Sequence, residues 1–270
     1  MSVLRSQAAA AGAIVERDAR LFLSYRMRPL GPLLGPITTV ILFYYVSRLV
    51  DVEELGSSDG YFAYVVVGIA TLDVLTAALG GTPAALRQEL VAGTFERLAV
   101  SGFGALPAVL AMMAFPLLQG LLVAAVTVTF AAVAFGMPLA WPELLLAPPA
   151  AVLGALAFAP FGVLVIASML AFKQTMAGVS VVLTGLSLFA GVYFPVSLLP
   201  EWTRWIADVQ PLTPALELLR ELISGVPSEG SPWGEAAKLA GFAAVGLPLA
   251  LWLLARSLMF ARRRGTITEY

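Results

Sequence analysis

Four ionisable side chains crowd residues 87–102, RQELVAGTFERLAVSG, in a chain that is only 12% charged and 60% hydrophobic. They are Arg87, Glu89, Glu96 and Arg97, and Gly93-Thr94 lies between the two pairs. Pro83 suits a helix start, Gly93 interrupts the helix, and Thr94 can cap a second one. Short helices of mixed charge can bind a soluble partner through ion pairs. The alternative is a solvated connector whose charges only set the membrane topology.

The rest of the sequence excludes several kinds of chemistry. There is no histidine and no cysteine. The chain therefore lacks the usual general base, the commonest metal ligand, and the imidazole of a Ser-His or Cys-His pair. Disulfides and thiolate metal sites are also excluded. We expect no catalytic residue, no metal site and no cofactor bound by this chain, and no nucleic-acid partner. The net charge of −1 by itself says little about partners.

Asp73 is the exceptional ionisable residue within the apolar stretches. A carboxylate in the membrane interior is costly, so such a residue indicates a role in a translocation path or a contact between helices. Thr71, Thr76 and Gln119 are the candidate hydrogen-bond partners. A structural hydrogen bond between helices is the simpler interpretation.

Long apolar stretches surround these residues, and the mean hydropathy of +0.90 is typical of an integral membrane protein. At about 20 residues per crossing, we predict six transmembrane helices. They cover residues 33–49, 61–81, 106–135, 144–172, 176–194 and 236–258. The predicted fold class is an all-α integral membrane protein whose residues 1–270 form a single transmembrane domain.

The positive-inside rule orients this bundle. Most of the 16 lysines and arginines lie on one side if both termini are cytoplasmic, which also places the 83–102 segment in the cytoplasm. Within residues 1–28, apolar and charged side chains alternate with helical periodicity. We therefore predict a helix lying in the inner membrane interface. The alternative is a basic tail that only sets the topology.

Residues 195–233 form an outer segment that is too patterned for a plain loop. Trp202 and Trp205 lie on one helical face, Pro211 breaks the chain, Thr213 can cap a second helix, and Gly225 can end it. Two short helices at the outer face are predicted. They act as an exit gate or, alternatively, only as an aromatic anchor at the level of the lipid headgroups.

Two motifs resemble those of ABC-2 type transporter permeases. The first is Glu89, then Gly93-Thr94-Phe95-Glu96 and Leu98, which is similar to the family's cytoplasmic loop. The second comprises the outer-segment residues Phe194-Pro195, Leu199-Pro200, Trp202, Pro211-Leu212-Thr213 and Leu219-Arg220. The N-terminal ERDARLFLSYRMRPL also resembles the entry helix of some members. The resemblance covers nearly the whole chain, in the family's order and spacing.

The resemblance implies a permease subunit of an ATP-driven ABC exporter in the inner (cytoplasmic) cell membrane. Its partners would be two ABC ATP-binding subunits, a second identical or homologous permease and membrane lipids. The 83–102 segment would be the coupling helix that contacts the ATPase through Arg87, Glu89, Gly93, Thr94, Phe95, Glu96 and Arg97. The implied outer gate comprises Phe194, Pro195, Trp202, Trp205, Leu219 and Arg220. No G-x-x-x-x-G-K-[ST] phosphate loop occurs in the sequence, so ATP and Mg²⁺ would be bound by the partner.

The expected cargo is lipid-like, drug-like or a lipid-linked glycan, because the predicted path is poorly polar. Two alternatives remain open. One is an ion-coupled secondary transporter that uses Asp73, although no internal repeat is evident. The other is a membrane scaffold that transports nothing.

Overall fold

The computed structural model describes residues 2–49, 57–172, 177–226 and 230–263, and all regular elements in these residues are helices. They are α1 (Ser2–Leu23), α2 (Gly31–Ser47), α3 (Ser58–Thr76), α4 (Thr82–Val91), α5 (Thr94–Val100), α6 (Ala105–Phe135), α7 (Ala147–Phe172), α8 (Ala177–Phe189), α9 (Glu201–Asp208), α10 (Leu212–Ser224) and α11 (Pro232–Arg263). A π-helical turn (Ala77–Gly81) joins α3 to α4, and short 3-10 turns precede α7 and α9. The all-α prediction is confirmed.

Four stretches of the described chain are long and apolar enough to cross a membrane. They are Ser58–Val91, Ala105–Phe135, Glu143–Ser168 and Pro232–Met259, and they correspond to the second, third, fourth and sixth predicted spans. The first predicted span forms the shorter apolar helix α2, of 17 residues. The fifth predicted span contains α8, of 13 residues. Residues 173–176, just before α8, lie outside the described part of the chain. Six spans with both termini inside therefore stay a prediction.

The second span and the first helix of the 83–102 segment form one continuous helical rod, Ser58–Val91, of 34 residues. We expected a new helix to start at Pro83, but α4 begins at Thr82 and follows the π turn without a break. Proline is tolerated there because the π turn just before it interrupts the regular α-helical hydrogen bonds, so that Pro83 lies in the first turn of α4. A helix of this length is roughly 50 Å long and exceeds a hydrocarbon core of about 30 Å, so its end projects from the membrane.

Close packing of α6 against this rod requires small residues. A Cβ on Gly81 would lie 2.6 Å from the Pro116 Cβ, and one on Gly120 would lie 2.6 Å from the Ala77 Cβ. Both distances are shorter than van der Waals contact. The π turn is therefore held directly against α6, so a displacement of α4 acts on α6 as well as on α3.

The buried apolar side chains form two clusters. The α1 cluster joins α1, α4 and α5 to α6, α7 and α11, and its members include Ile14, Leu86, Leu90, Phe95, Met112, Ile166 and Leu254. The α10 cluster packs α10 against α3 and α7, and its members include Phe62, Val65, Phe158, Leu212, Leu216, Leu219 and Leu222. The predicted ATPase-coupling segment and the predicted outer gate therefore pack on separate parts of the core.

Helix α10 is inserted among α3, α7 and α11. We expected Thr213 to cap it, but α10 starts at Leu212, two residues before the start that this cap implies, and Pro211 stands at the capping position without a side-chain hydrogen bond. Pro211 already has helical dihedral angles (φ −76°, ψ −8°), so the helical conformation is established before Thr213. The break at Pro211 and the end at Gly225, with φ of +70°, agree with the sequence-based prediction.

Candidate functional site

Helices α4 and α5 form a compact corner around Gly93. Gly93 has φ of +66°, in the left-handed region that favours glycine. Thr94 was expected to cap α5, but Gly93 occupies that position and no side chain caps the helix. The Thr94 hydroxyl instead lies against Glu89, within 3.2 Å of its carbonyl oxygen and hydrogen-bonded to its carboxylate. This contact joins the start of α5 to the end of α4.

Glu89 also joins the corner to α1. One Nη of Arg17 lies 2.8 Å from Glu89 Oε1, and the same nitrogen contacts Asp18 at 2.8 Å. The Glu89 side chain is only 15% exposed. Burial alone would lower the pKa of Arg17, but its hydrogen bonds and the charges of Asp18 and Glu89 raise it. Glu89 therefore positions the corner against α1, and the prediction that it contacts the ATPase directly has no support in this geometry.

Phe95 is the apolar anchor of the same corner. Its side chain is fully buried (0% exposed) in the α1 cluster, together with Ile14, Leu86 and Leu90. Burial of a side chain of this size stabilises a fold by about 1.5–3 kcal/mol. Phe95 was predicted as a contact to the ATPase. In this structure its ring is buried and fixes α5 onto the bundle, so it offers no exposed surface for a direct contact.

The outward face of the corner comprises the remaining predicted residues that the structure describes. Arg87 and Gln88 on α4, Arg97 on α5 and the intervening Gly93 are exposed, and Val91 is 65% exposed. Glu96 lies on α5, but its side chain is outside the described part of the chain. The predicted set therefore divides into an exposed basic and apolar face and an internal group that holds this face in place.

Asp73 lies where α3 meets α6. The Thr127 hydroxyl of α6 is beside its carboxylate, and Tyr193 is within electrostatic range. Thr71 and Thr76 each donate to a carbonyl of their own helix, and Gln119 makes no hydrogen bond to Asp73. The predicted partners are thus not the observed ones. Oδ2 of Asp73 is buried and has no hydrogen-bond partner in the described residues.

Arg220 holds α10 to the rest of the bundle. Its Nη2 donates to the carbonyl oxygens of Gly191 (2.8 Å) and Val192 (3.2 Å), and its Nε donates to that of Tyr64 (3.2 Å). The guanidinium carbon lies 3.4 Å from the centre of the Tyr64 ring. Burial lowers the pKa of Arg220 to about 10, which still leaves it charged at neutral pH. We call Arg220, Tyr64, Gly191 and Val192 the Arg220 cluster.

The loop of the Arg220 cluster approaches α3 closely. A Cβ on Gly68 would lie 2.3 Å from the Val192 carbonyl oxygen, so only glycine fits there. The Tyr64 hydroxyl donates to the Gly191 carbonyl (2.8 Å). Gly191 itself has φ of +80°. These contacts fix the backbone just before Phe194 and Pro195, two predicted gate residues that are half-buried.

The remaining gate residues differ in burial. Leu219 is 6% exposed inside the α10 cluster, whereas Trp202 and Trp205 are 77% and 61% exposed on α9. Only the opposite side of α9, with Thr203 and Ala207, packs onto the protein. The two tryptophans therefore present an apolar face to the surroundings of the chain. This placement suits an anchor at headgroup level.

An apolar cavity of about 420 Å³ lies between α3, α6, α7 and α10. Its polar side chains, Thr71 and Thr129, both donate to carbonyls of their own helices. Asp73 does not line it. The cavity therefore offers no hydrogen-bond donor from these hydroxyls and is separate from the carboxylate.

Sequence reasoning missed four contributors to these sites. They are Arg17 for Glu89, Tyr64 for Arg220, and Thr127 and Tyr193 near Asp73. The partners are far apart in sequence, and no local spacing predicts such pairs. The one available signal was Arg17 on the charged face of a predicted interfacial helix.

The comparisons with known proteins bear on this arrangement. The family model described as ABC-2 type transporter matches residues 10–223, which include most of α1, the corner between α4 and α5, Asp73 and the Arg220 cluster. No curated protein matches the sequence. Members of this family are transmembrane components of ABC transporters, and the family implies association with an ABC ATP-binding subunit. Since the match covers most of the chain, this multi-pass membrane protein belongs to the ABC-2 type transporter family as a permease component.

Proposed function

We propose that this chain is the permease subunit of an ATP-driven exporter in the inner (cytoplasmic) cell membrane. Two permease subunits, identical or homologous, would work with two ATP-binding subunits that hold ATP and Mg²⁺. The cargo would be an apolar or amphipathic molecule that leaves the cytoplasm or the inner leaflet. The observation that carries this proposal is the corner formed by α4 and α5, which we call the coupling corner. Arg87, Val91 and Arg97 face outward there, while Glu89 and Phe95 fix the corner internally.

The same arrangement supports a mechanism. Closure of the ATP-binding subunits on ATP would push on the exposed face of α4 and α5. Because α4 continues through the π turn into α3, the displacement would reach the transmembrane span directly. The Arg17–Glu89 ion pair would carry it to α1 at the same time. Small residues pack the π turn onto α6, so little of the movement would be absorbed there.

Charge reversal of the outward face tests the proposal. In the Arg87→Glu/Arg97→Glu double variant, both exposed cations become acidic while the internal contacts remain. We expect copurification of the ATP-binding subunit and stimulation of its ATPase activity to fall about tenfold, which corresponds to roughly 1.4 kcal/mol. Arg26→Glu is the matched control, because Arg26 is also exposed and predicted to be cytoplasmic. Equal binding by both variants would exclude this face as the ATPase contact.

A further inference from the structure

We propose that the apolar groove between α7 and α11 holds one acyl chain of a zwitterionic phospholipid of the outer leaflet, whose phosphate binds Lys238. The lipid is a resident partner of the chain and not its cargo, so the inference goes beyond the proposed function. The family match ends at residue 223, before α11 begins, so the family assignment does not describe this helix. We call this site the α11 groove.

The shape of the α11 groove fits a single extended acyl chain. The groove has a volume of about 480 Å³, and its α11 wall runs from Lys238 to Ala250. At 1.5 Å per residue this wall is roughly 18 Å long, slightly more than half of a bilayer core of about 30 Å. Val245 and Leu249 line the groove and are 72% and 56% exposed, so the groove is open to the surroundings of the chain.

Gly241 leaves room in the groove that the chain itself does not fill. It lines the groove, and a Cβ at this position would meet no other segment of the described chain within 4 Å. Glycine weakens a helix relative to alanine, and Gly241 is required here neither by a positive φ nor by close packing. Gly246 differs, because its Cβ would lie 2.8 Å from Pro160 Cγ. The space at Gly241 therefore suits an occupant from outside the chain.

Lys238 stands at the outer end of the groove. The positive-inside rule places the basic end of α11, with Arg256 and residues 262–264, in the cytoplasm. Trp233, five residues before Lys238 and 86% exposed, then lies at the level of the outer headgroups. The Lys238 Nζ donates to Glu235 Oε1 (2.7 Å), one turn closer to the start of α11. This bond holds the ammonium towards the headgroups, while the apolar part of the side chain borders the groove.

The charges around Lys238 favour a particular class of headgroup. Lys238 is the one polar residue among the described residues that line the groove, and its side chain is 61% exposed. In the described residues its ammonium makes one hydrogen bond, to Glu235, so two protons are available for a phosphate. Asp208 and Glu217 also lie within electrostatic range of Lys238. These carboxylates repel an anionic headgroup but attract the ammonium of a zwitterionic one, such as phosphatidylethanolamine.

Native mass spectrometry of the full chain, released from detergent micelles with added lipid, tests the site. The probes are phosphatidylethanolamine, phosphatidylglycerol and diacylglycerol with identical acyl chains. We expect phosphatidylethanolamine to bind at least tenfold more tightly than diacylglycerol, which lacks the phosphate, and several-fold more tightly than phosphatidylglycerol. Equally tight binding of diacylglycerol, or tighter binding of phosphatidylglycerol, would overturn the proposal.

A variant that fills the groove tests its location. We expect Gly241→Phe to weaken the binding of phosphatidylethanolamine at least tenfold, with the fold retained because the new side chain meets no other segment. Ala240→Phe is the matched control, since Ala240 is exposed on the same helix but does not line the groove. If both variants bind the lipid equally well, the lipid does not lie in the groove. If Gly241→Phe instead removes a dimer from the spectrum, the groove is a contact between copies, and the proposal is wrong.

The role of Lys238 has its own pair of variants. Lys238→Met alone would leave the buried Glu235 carboxylate without its partner, so it is combined with Glu235→Gln. We expect Glu235→Gln/Lys238→Met to bind phosphatidylethanolamine no more tightly than diacylglycerol, and Glu235→Gln alone to keep the preference. A preference that survives in the double variant would show that Lys238 does not bind the phosphate, and the proposal would fail.

Discussion

The coupling corner and the Arg220 cluster are both organised around an arginine, but the two arginines are bound differently. Arg17 makes side-chain ion pairs with Asp18 and Glu89, and its own side chain is 39% exposed. Arg220 is 5% exposed, and its hydrogen bonds run to main-chain carbonyls of two other segments. One contact joins two side chains near water, whereas the other joins a side chain to the backbone inside the core.

This difference predicts different mechanical roles. A partly exposed ion pair contributes about 1 kcal/mol or less and can break and re-form. A buried guanidinium cannot leave its carbonyls without exposing several unsatisfied groups at once. The Arg220 cluster therefore acts as a fixed support for α10, while the Arg17–Glu89 pair can transmit or release a movement of α4.

Among the variants that test the two arginine sites, removal of Arg220 should have the largest effect on stability. In Arg220→Met the carbonyls of Tyr64, Gly191 and Val192 lose the hydrogen bonds of the guanidinium inside the core, and only that of Gly191 keeps a donor, the Tyr64 hydroxyl. We therefore expect the unfolding free energy to fall by about 3 kcal/mol. Thermal unfolding in detergent micelles, followed by tryptophan fluorescence, would measure the loss as a lowered Tm.

Arg204→Met is the matched control for this prediction. Arg204 also donates to two main-chain carbonyls, those of Ser197 and Leu199, but it is exposed. Water can replace its hydrogen bonds, so we expect a loss below about 1 kcal/mol. If both variants unfold at the same temperature, burial is not what distinguishes Arg220.

The sequence predicted the helices far better than the contacts between them. Hydropathy located the four long spans, and Pro211 and Gly225 marked the limits of α10 to within one residue, because these signals are local. The sequence did not predict that α4 continues from α3. The π turn that accommodates Pro83 has no sequence signature of its own.

The candidate sites show the same limit. The motif around Gly93 located the coupling corner, but it could not separate exposed Arg87 from internal Glu89. That division depends on α1, which packs on α6 and meets α4 through the Arg17–Glu89 ion pair. Neither contact is visible in the local sequence. Arg220 was identified only by resemblance, as a gate residue, and its carbonyl partners were not predictable from spacing.

Disruption of the Arg17–Glu89 pair should have an intermediate effect, seen more in coupling than in stability. We expect Glu89→Gln to lower the unfolding free energy by about 1 kcal/mol or less, while stimulation of the partner ATPase falls several-fold. The charge-exchanged double variant Arg17→Glu/Glu89→Arg should recover part of that stimulation. A double-mutant cycle on Tm and on ATPase stimulation would measure both. Strictly additive effects in both readouts would mean that the pair is not a mechanical link.

Substitution on α9 should have the smallest effect on the unfolding free energy. Helix α9 adds to the comparison of the two arginine sites a region whose large side chains lie outside the core. Trp205 is 61% exposed, so Trp205→Ala removes little packing within the chain. We expect a change in unfolding free energy below about 0.5 kcal/mol in detergent. Leu216→Ala, at 0% exposed on α10, is the contrasting variant and should cost about 2–5 kcal/mol.

Hydrogen exchange of backbone amides extends this contrast to the wild-type chain. Amides of α10 exchange only when the α10 cluster and the Arg220 cluster open together, because nearly all apolar side chains of this helix are buried in the bundle. Amides of α9 need only local opening, since this helix of 8 residues packs through one narrow face. We therefore expect α10 to be protected by at least a further factor of about 100, which equals roughly 2.7 kcal/mol. If α9 and α10 exchange at the same rate, the outer segment opens as one unit, and the Arg220 cluster does not support α10 independently of its neighbour.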